Sequence, residues 1–305
     1  MKTILIIDSH ALIHRAYHAI PPLTTKAGIP TNALYGYLNL LYKAIHDIKP
    51  THLVACFDTP TESFRAKLVE EYQATRKPAD DALKSQFNLV KEAVDSARII
   101  RYEAPNYEAD DAIGTVTCQL DKECKSTGDN YRIIIFTGDK DMFQLVTPNI
   151  FVLTPQIGFG KSVLYGPKEV EEKMGVGPEY IADMKALMGD TSDNYKGLKK
   201  IGPKTAAKYI KEYGHVEDME KAFDVETMQI LRTMKKVSSI VCDVPGIDSH
   251  LNTSEFHGFA DSLIDTLKKY ELYSLIPRFT KKENKIINKE INKVKTDSTN
   301  QDSLF

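Results

Sequence analysis

The sequence predicts an α/β protein with a mostly parallel central sheet, followed by a smaller helical unit. Two observations carry the prediction. Short β-branched and aliphatic runs alternate with apolar residues at helical spacing through the first half, the signature of βαβ units. From about Gly166 onward the pattern changes to short helices broken by Gly and Pro, which sets a boundary there.

The elements follow in order. Thr3 to Asp8 reads as a buried strand. Ala33, Leu34, Tyr37, Leu38, Leu41, Ala44, Ile45 and Ile48 form a helical stripe that starts at about Asn32 and ends before Pro50. His52 to Asp58 is the second strand. Glu62 to Gln86 is charged and poorly periodic, with Arg65, Lys67, Arg76, Lys77 and Lys84 among Phe64 and Tyr72. A third strand, Ala97 to Tyr102, leads into a helix from about Glu108 to Cys124. Tyr131 to Phe136 is the strongest β signal, and Ile150 to Leu153 and Ser162 to Tyr165 read as edge strands or a hairpin. After Phe279 the chain is Lys/Asn-rich and reads as a solvated tail, weakly helical at most over Lys281 to Lys295. The expected units are thus 1–165, 166–279 and a tail over 280–305.

Composition narrows the function. Forty Lys+Arg against 42 Asp+Glu give a net charge of −2 over 305 residues, so any polyanion would have to meet a local patch. No apolar run approaches the ~20 residues of a membrane span, and the first apolar run is too short for a signal-peptide core. Cys56, Cys118, Cys124 and Cys242 show neither CxxC nor a nearby His at ligand spacing, which fits reduced thiols in a cytoplasmic protein.

Three candidate strands end in Asp8, Asp58 and the Thr137-Gly138-Asp139-Lys140-Asp141 run. The carboxyl ends of parallel strands face one edge, where ligands bind. Glu108, Asp110 and Asp111 open the helix after the third strand on that same edge, and Asp190 and Asp193 follow a later helix. Singly, each reads as a turn former or a helix-dipole partner. Together they would repel unless a cation neutralises them, and oxygen-only clusters suit magnesium or manganese. Two such ions about 4 Å apart serve in-line attack on a phosphodiester. No Walker motif, GxGxxG or GxSxG is present. In Gly197 to Lys208, Gly202-Pro203 starts a helix beside Lys199, Lys200, Lys204 and Lys208, the layout of a helix-hairpin-helix gripping phosphate.

These motifs resemble the 5′ nuclease (flap endonuclease) family, specifically the bacterial 5′→3′ exonuclease domain at the front of DNA polymerase I. The matching pieces run in order: Leu5-Ile6-Ile7-Asp8, Leu23-Thr24-Thr25, Leu34-Tyr35-Gly36-Tyr37, Ala55-Cys56-Phe57-Asp58, Ser63-Phe64-Arg65, Tyr107-Glu108-Ala109-Asp110-Asp111, Thr137 to Asp141, Gly189 to Asn194, and Ile201 to Ala206. The resemblance implies a PIN-like sheet, a helical arch over about 62–86, and a helix-hairpin-helix over about 185–213. It implies metal-dependent cleavage of DNA at 5′ flaps, nicks and ends by a monomer. It places metal ligands at Asp8, Asp58, Glu108, Asp110, Asp111, Asp139, Asp141, Asp190 and Asp193, with Asp8, Asp58, Asp110, Asp139, Arg76 and Lys77 in catalysis. DNA contacts fall on Arg15, Arg65, Tyr72, Arg76, Lys77, Lys199, Lys200, Gly202, Lys204 and Thr205. The cofactors implied are two magnesium ions, with manganese substituting, and a monovalent cation such as potassium at the hairpin.

Three departures stand out. Gln73 replaces the Lys of the arch pattern Tyr-Lys-x-x-Arg, and Lys77 is the candidate to supply its charge. Tyr195-Lys196 replaces Leu/Ile-Pro, and Lys200 stands where the hairpin normally has Gly. The last five residues, Gln301-Asp302-Ser303-Leu304-Phe305, look like the Gln-x-x-Leu-Phe peptide that docks on the bacterial sliding clamp, with Gln301, Leu304 and Phe305 as anchors. The rival readings are a PIN-like ribonuclease and a non-catalytic DNA-binding adaptor recruited to the clamp.

Overall fold

Lys2–Asp8 is the central strand, β1, of the computed structural model, which describes residues 1–75, 78–155, 162–280 and 285–290. Successive side chains leave opposite faces of the strand, so Ile4 and Ile6 enter one core while Leu5 and Ile7 enter the other. A strand covered on both faces needs a near-continuous apolar run, which this segment supplies. With β2 (His52–Cys56), β3 (Ile100–Tyr102), β4 (Tyr131–Phe136), β5 (Ile150–Thr154) and β6 (Val163–Tyr165) it forms a six-stranded sheet of order β3-β2-β1-β4-β5-β6. All pairs are parallel except β5–β6. The mostly parallel sheet therefore agrees with the sequence reading, as does the edge hairpin. The third strand is shorter than its apolar run, because Ala97 still caps the preceding helix.

The strand order reverses at β1. The chain moves outward through β2 and β3, then returns to place β4 on the other side. The crevice at the carboxyl ends of the two strands flanking such a reversal is where open α/β sheets take ligands. Here those strands end at Asp8 and Phe136.

Helix α1 (Ser9–Ala19) has no counterpart in the sequence reading, because its buried face is only Ser9, Leu12, Ile13 and Ala16 among His and Tyr. Asp8 caps it, its Oδ1 accepting the Ala11 N–H at 3.0 Å. Helix α2 (Asn32–Ile48) follows the expected stripe. A short helix α3 (Phe64–Leu68) and turns through residue 75 precede α4 (Asp81–Ser96). The segment read as aperiodic to Gln86 thus ends in core helix. Asp80 caps α4 through the Leu83 N–H at 2.7 Å, and Leu83, Gln86, Val90, Ala93 and Val94 are buried. That stripe runs well past residue 86, so a window closing there cuts it in half.

Helix α5 (Ala109–Thr127) lies on the sheet's other face. The chain continues through α6 (Pro167–Met174), α7 (Ile181–Met188), a two-residue pair β7 (Gly189–Asp190) and β8 (Tyr195–Lys196), α8 (Pro203–Tyr213) and α9 (Val225–Ser238). Residues 239–251 then run as a strap along α5. The Val241 N–H donates to Asp111 (3.0 Å), the Val244 N–H to Thr115 (3.1 Å) and the Leu251 N–H to Glu123 (3.0 Å). Gly114 permits this approach, since a Cβ there would lie 2.7 Å from the Val241 carbonyl oxygen. Helices α10 (Leu251–Ser254) and α11 (Ser262–Lys269) follow, α11 packing on α4.

Residues 285–290 are helical with Ile287 buried, and the Asn288 amide donates to the His257 carbonyl at 2.9 Å. This part of the expected solvated tail is docked, with a Lys49–Glu290 pair at 3.2 Å beside the buried Ile and the backbone contact. Among the described residues no helix is long and apolar enough to cross a membrane.

Candidate active site

The strand ends and the first turn of α5 converge on a cleft of about 410 Å³. Asp8, Asp58, Glu108, Asp110, Asp139, Asp141 and Asp193 line it, so carboxylates from five separate stretches of sequence meet there. Asp190 lies behind Asp141 and Asp193, the three offering oxygens within 4.8 Å of one another.

Each acid is held by local structure. Asp8, at the end of β1, receives the Thr137 hydroxyl on Oδ2 at 2.6 Å in addition to its cap bond. Asp58 receives the Ala109 N–H on one oxygen and faces His10 Nε2 at 3.2 Å with the other. Asp139 accepts the Asp141 N–H at 2.8 Å. Asp190 accepts the Ser192 N–H at 2.7 Å, a tight turn that aims Asp193 into the cleft. This turn hangs on a backbone-to-backbone crossing of Gly189 and Gly197, where a Cβ on Gly197 would stand 2.2 Å from the Gly189 nitrogen.

Crowding shows in the protonation equilibria. Burial pushes Asp8 up to about 7, with Asp139 and Asp58 adding to the rise against the bonds from Thr137 and Ala11. Glu108 is pushed to about 7 by burial, opposed by Arg65 and reinforced by Asp58. Asp110 is raised well above the ordinary carboxylate range by burial and then by Asp139 and Asp8. Burial raises Asp141 to about 6, with Lys185 pulling down and Asp139 pushing up. Arg65 and Lys185 offset only part of the charge that this cluster would carry when ionised. The cluster's donors are all oxygen, hard and anionic, the set that suits magnesium-like divalent cations. The residues fit the cations the sequence implies.

Three expected roles change, and five of the expected residues lie out of view. Arg65 is not a surface phosphate contact: it is 3% exposed, and its guanidinium donates to both oxygens of Asp111 at 2.6 and 2.7 Å. It also donates to Glu108 (3.0 Å) and to the Val237 and Ser239 carbonyls, both at 2.8 Å. Asp111 therefore leaves the metal set. It is fully buried, and its oxygens accept from Arg65, the Glu108 N–H and the Val241 N–H. Tyr72 is turned inward, 8% exposed, stacked on Tyr195 with its hydroxyl donating to Glu108 at 3.0 Å, so it presents no ring for a base. Arg76, Lys77, Gln301, Leu304 and Phe305 lie outside the described residues.

Three residues at the cleft escaped the sequence reading. His10 sits in the first turn of α1, stacked on Phe87 at 4.7 Å. Lys185, buried in α7, contacts Asp141 and lies 2.5 Å from Asp190 Oδ2. Burial opposes its charge, but the two acids raise its basicity, and its ammonium in turn draws Asp190 down to about 2 against burial. Gln73 bridges Glu108 and Asp193. Only Gln73 carried a signal, its departure from the arch pattern. A second group able to hold a metal by position, Asp183, His215 and Glu217, is already served by Lys235, 2.7 Å from Asp183 and 2.6 Å from Glu217.

Beyond the cleft, Lys199, Lys200, Lys204 and Thr205 are exposed around the start of α8, with Gly202 as its cap. Lys200 adopts φ +66°, so the turn keeps the left-handed geometry usually left to Gly. Arg15 is half-buried on α1.

An acid-lined cleft at the switch point of a parallel sheet, closed by a helical unit, defines a divalent-cation site of the kind used on phosphate esters. Residues 3–175 match the model of the 5′-3′ exonuclease N-terminal resolvase-like domain, and residues 176–261 that of its C-terminal SAM fold. The chain is 36% identical over 236 residues to a 5′-3′ exonuclease of Aquifex aeolicus (77% of this chain, 78% of that protein). It is 34% identical over 289 residues to Bacillus subtilis DNA polymerase I (91% of this chain), spanning 32% of the polymerase's length. A solved structure of T5 5′-exonuclease with bound zinc shares the fold at a TM-score of 0.58 and 18% identity, covering 96% of this chain and 99% of that one. The chain belongs to the 5′-3′ exonuclease family of nucleases.

Proposed function

We propose that the chain hydrolyses DNA phosphodiesters at 5′ flaps, nicks and single-stranded 5′ ends, in primer removal and repair. One observation carries the reading: seven carboxylates share one cleft at the sheet's switch point, and among the described residues only Arg65, Lys185 and His10 bring a cationic or ionisable nitrogen to them. Asp8, Asp58, Glu108, Asp110, Asp139, Asp141, Asp190 and Asp193 would hold two magnesium ions, with manganese substituting. The bound ions would supply an ionised water and charge neutralisation at the scissile phosphate.

The chain's own residues do the rest. Thr137 and the α1 backbone fix Asp8; the α5 N-terminus fixes Asp58; the Asp190 turn presents Asp193. Exposed Lys199, Lys200 and Lys204, with the amides at the α8 start, would grip duplex backbone beyond the cut, with a monovalent cation such as potassium bridging there. Arg15 would add a phosphate contact from α1, and Arg76 and Lys77 would neutralise the scissile phosphate. The last five residues, through Gln301, Leu304 and Phe305, would dock a monomeric enzyme on a sliding clamp in the cytoplasm; deleting them should abolish clamp affinity and spare cleavage of naked flaps.

A 5′-labelled flap duplex tests the reading, comparing magnesium with chelator and the native chain with Asp139→Ala. Cleavage at the junction that requires both metal and Asp139 is expected. Tight binding without cleavage, in manganese as well, would overturn it.

A further inference from the structure

Gln73 stands where the arch pattern carries Lys, and what it does is set by the contacts of its backbone N–H and its side-chain nitrogen. Its backbone takes φ +54°, a left-handed conformation that residues with a side chain hold only when contacts impose it. The contact is its N–H, which donates to the Asp193 carbonyl at 2.7 Å. Its side-chain nitrogen lies 3.0 Å from Glu108 Oε1 and 3.2 Å from Asp193 Oδ1. A carboxamide nitrogen has two hydrogens, and three acceptors face this one: the two acids and the Tyr72 hydroxyl at 3.2 Å.

The neighbours fasten the same stretch. Asn194 donates to the Glu71 carbonyl at 2.7 Å, and Lys196 pairs with Glu71 at 3.3 Å. Tyr72 donates to Glu108 and stacks on Tyr195. Residues 71–73 are thus clamped onto residues 193–196 across the mouth of the cleft. Glu108 accepts from Arg65, Tyr72 and Gln73, which occupy most of its roughly four lone-pair sites.

A lysine here would add charge and repel an incoming cation. An amide adds none, so it competes with a cation only for lone pairs. We propose that Gln73 is a positioning residue that latches residues 71–75 onto Glu108 and Asp193, and that a divalent cation displaces it, releasing the base of the arch once the cleft is loaded. This rests on reading the cleft as a cation site, and it adds a regulated order: metal first, arch release second.

The test uses the full chain without DNA. Manganese is titrated calorimetrically into the native protein, Gln73→Ala and Gln73→Leu, and hydrogen exchange of residues 71–75 is followed with and without manganese. Removing the competing donor should tighten manganese binding by roughly ten- to a hundred-fold, as expected for one hydrogen bond to a charged acceptor. In the native chain, manganese should accelerate exchange at 71–75. Equal or weaker binding by the folded variants, or exchange unchanged by manganese, would overturn the latch while flap cleavage still upheld the nuclease reading. No manganese uptake by the native chain would overturn the cation site itself and the latch with it.

Discussion

Replacing Arg65 by Ala separates a structural role from a DNA-contact role. The guanidinium makes five hydrogen bonds, to both Asp111 oxygens, to Glu108, and to the Val237 and Ser239 carbonyls. It ties α3 to the α5 N-terminus and to the end of α9, three elements distant in sequence. Truncation strands Asp111, fully buried, without its counter-charge. Breaking such a pair by removing one partner costs about 3–5 kcal/mol. At about 2–4 °C per kcal/mol for a chain above 150 residues, the melting temperature should fall by about 6–20 °C. Lysine should recover little, being a point donor in place of a bidentate fork. Asp111→Asn in the Arg65→Ala background should recover part of the loss, because the orphaned charge is gone. The assay is calorimetric melting in chelator, with flap affinity measured in parallel below the transition. An Arg65→Ala protein that melts with the native chain but binds flaps poorly would refute the reasoning and return Arg65 to the DNA surface.

Three further outcomes follow from the same geometry. Asp8 and Glu108, raised to about 7, keep protons in the native state that the unfolded chain has already released above about pH 4, so metal-free stability should fall as pH rises from about 4 to 7. Melting in chelator should therefore be lower at pH 8 than at pH 6, with magnesium restoring more at pH 8; an equal metal effect at both would contradict it. Gly197→Ala forces a Cβ onto backbone at 2.2 Å and should cost about 3 kcal/mol or more, with flap cleavage lost through Asp190 and Asp193; urea unfolding measures it. Lys200→Gly relieves a left-handed turn worth about 1–2 kcal/mol while deleting a cation, so stability should rise as the slope of log affinity against log salt shrinks by about 1.

The sheet was legible in the amino acids because a strand buried on both faces must be apolar almost throughout, as Thr3 to Ile7 and Ile133 to Phe136 are. The acids at the strand ends were legible too, since a parallel sheet sends all its carboxyl ends to one edge. Helix α1 was not, because its few buried residues give no period and its start is fixed by Asp8, a side chain with other work. Nor could the sequence sort the acids. Asp110 and Asp111 are adjacent on one helix turn, yet one faces the cleft and the other is sealed against Arg65. Adjacent helical positions point about 100° apart, and which direction meets solvent depends on α3 and the strap, tens of residues away. Lys185 was invisible as a site residue for the same reason, and Gln73 showed only as a departure from the arch pattern. Composition decides that a cluster of like charges needs a partner; only the tertiary structure decides whether that partner is a lysine, an amide or a cation, because Coulomb attraction and hydrogen bonding act over ångströms that the chain's linear order does not record.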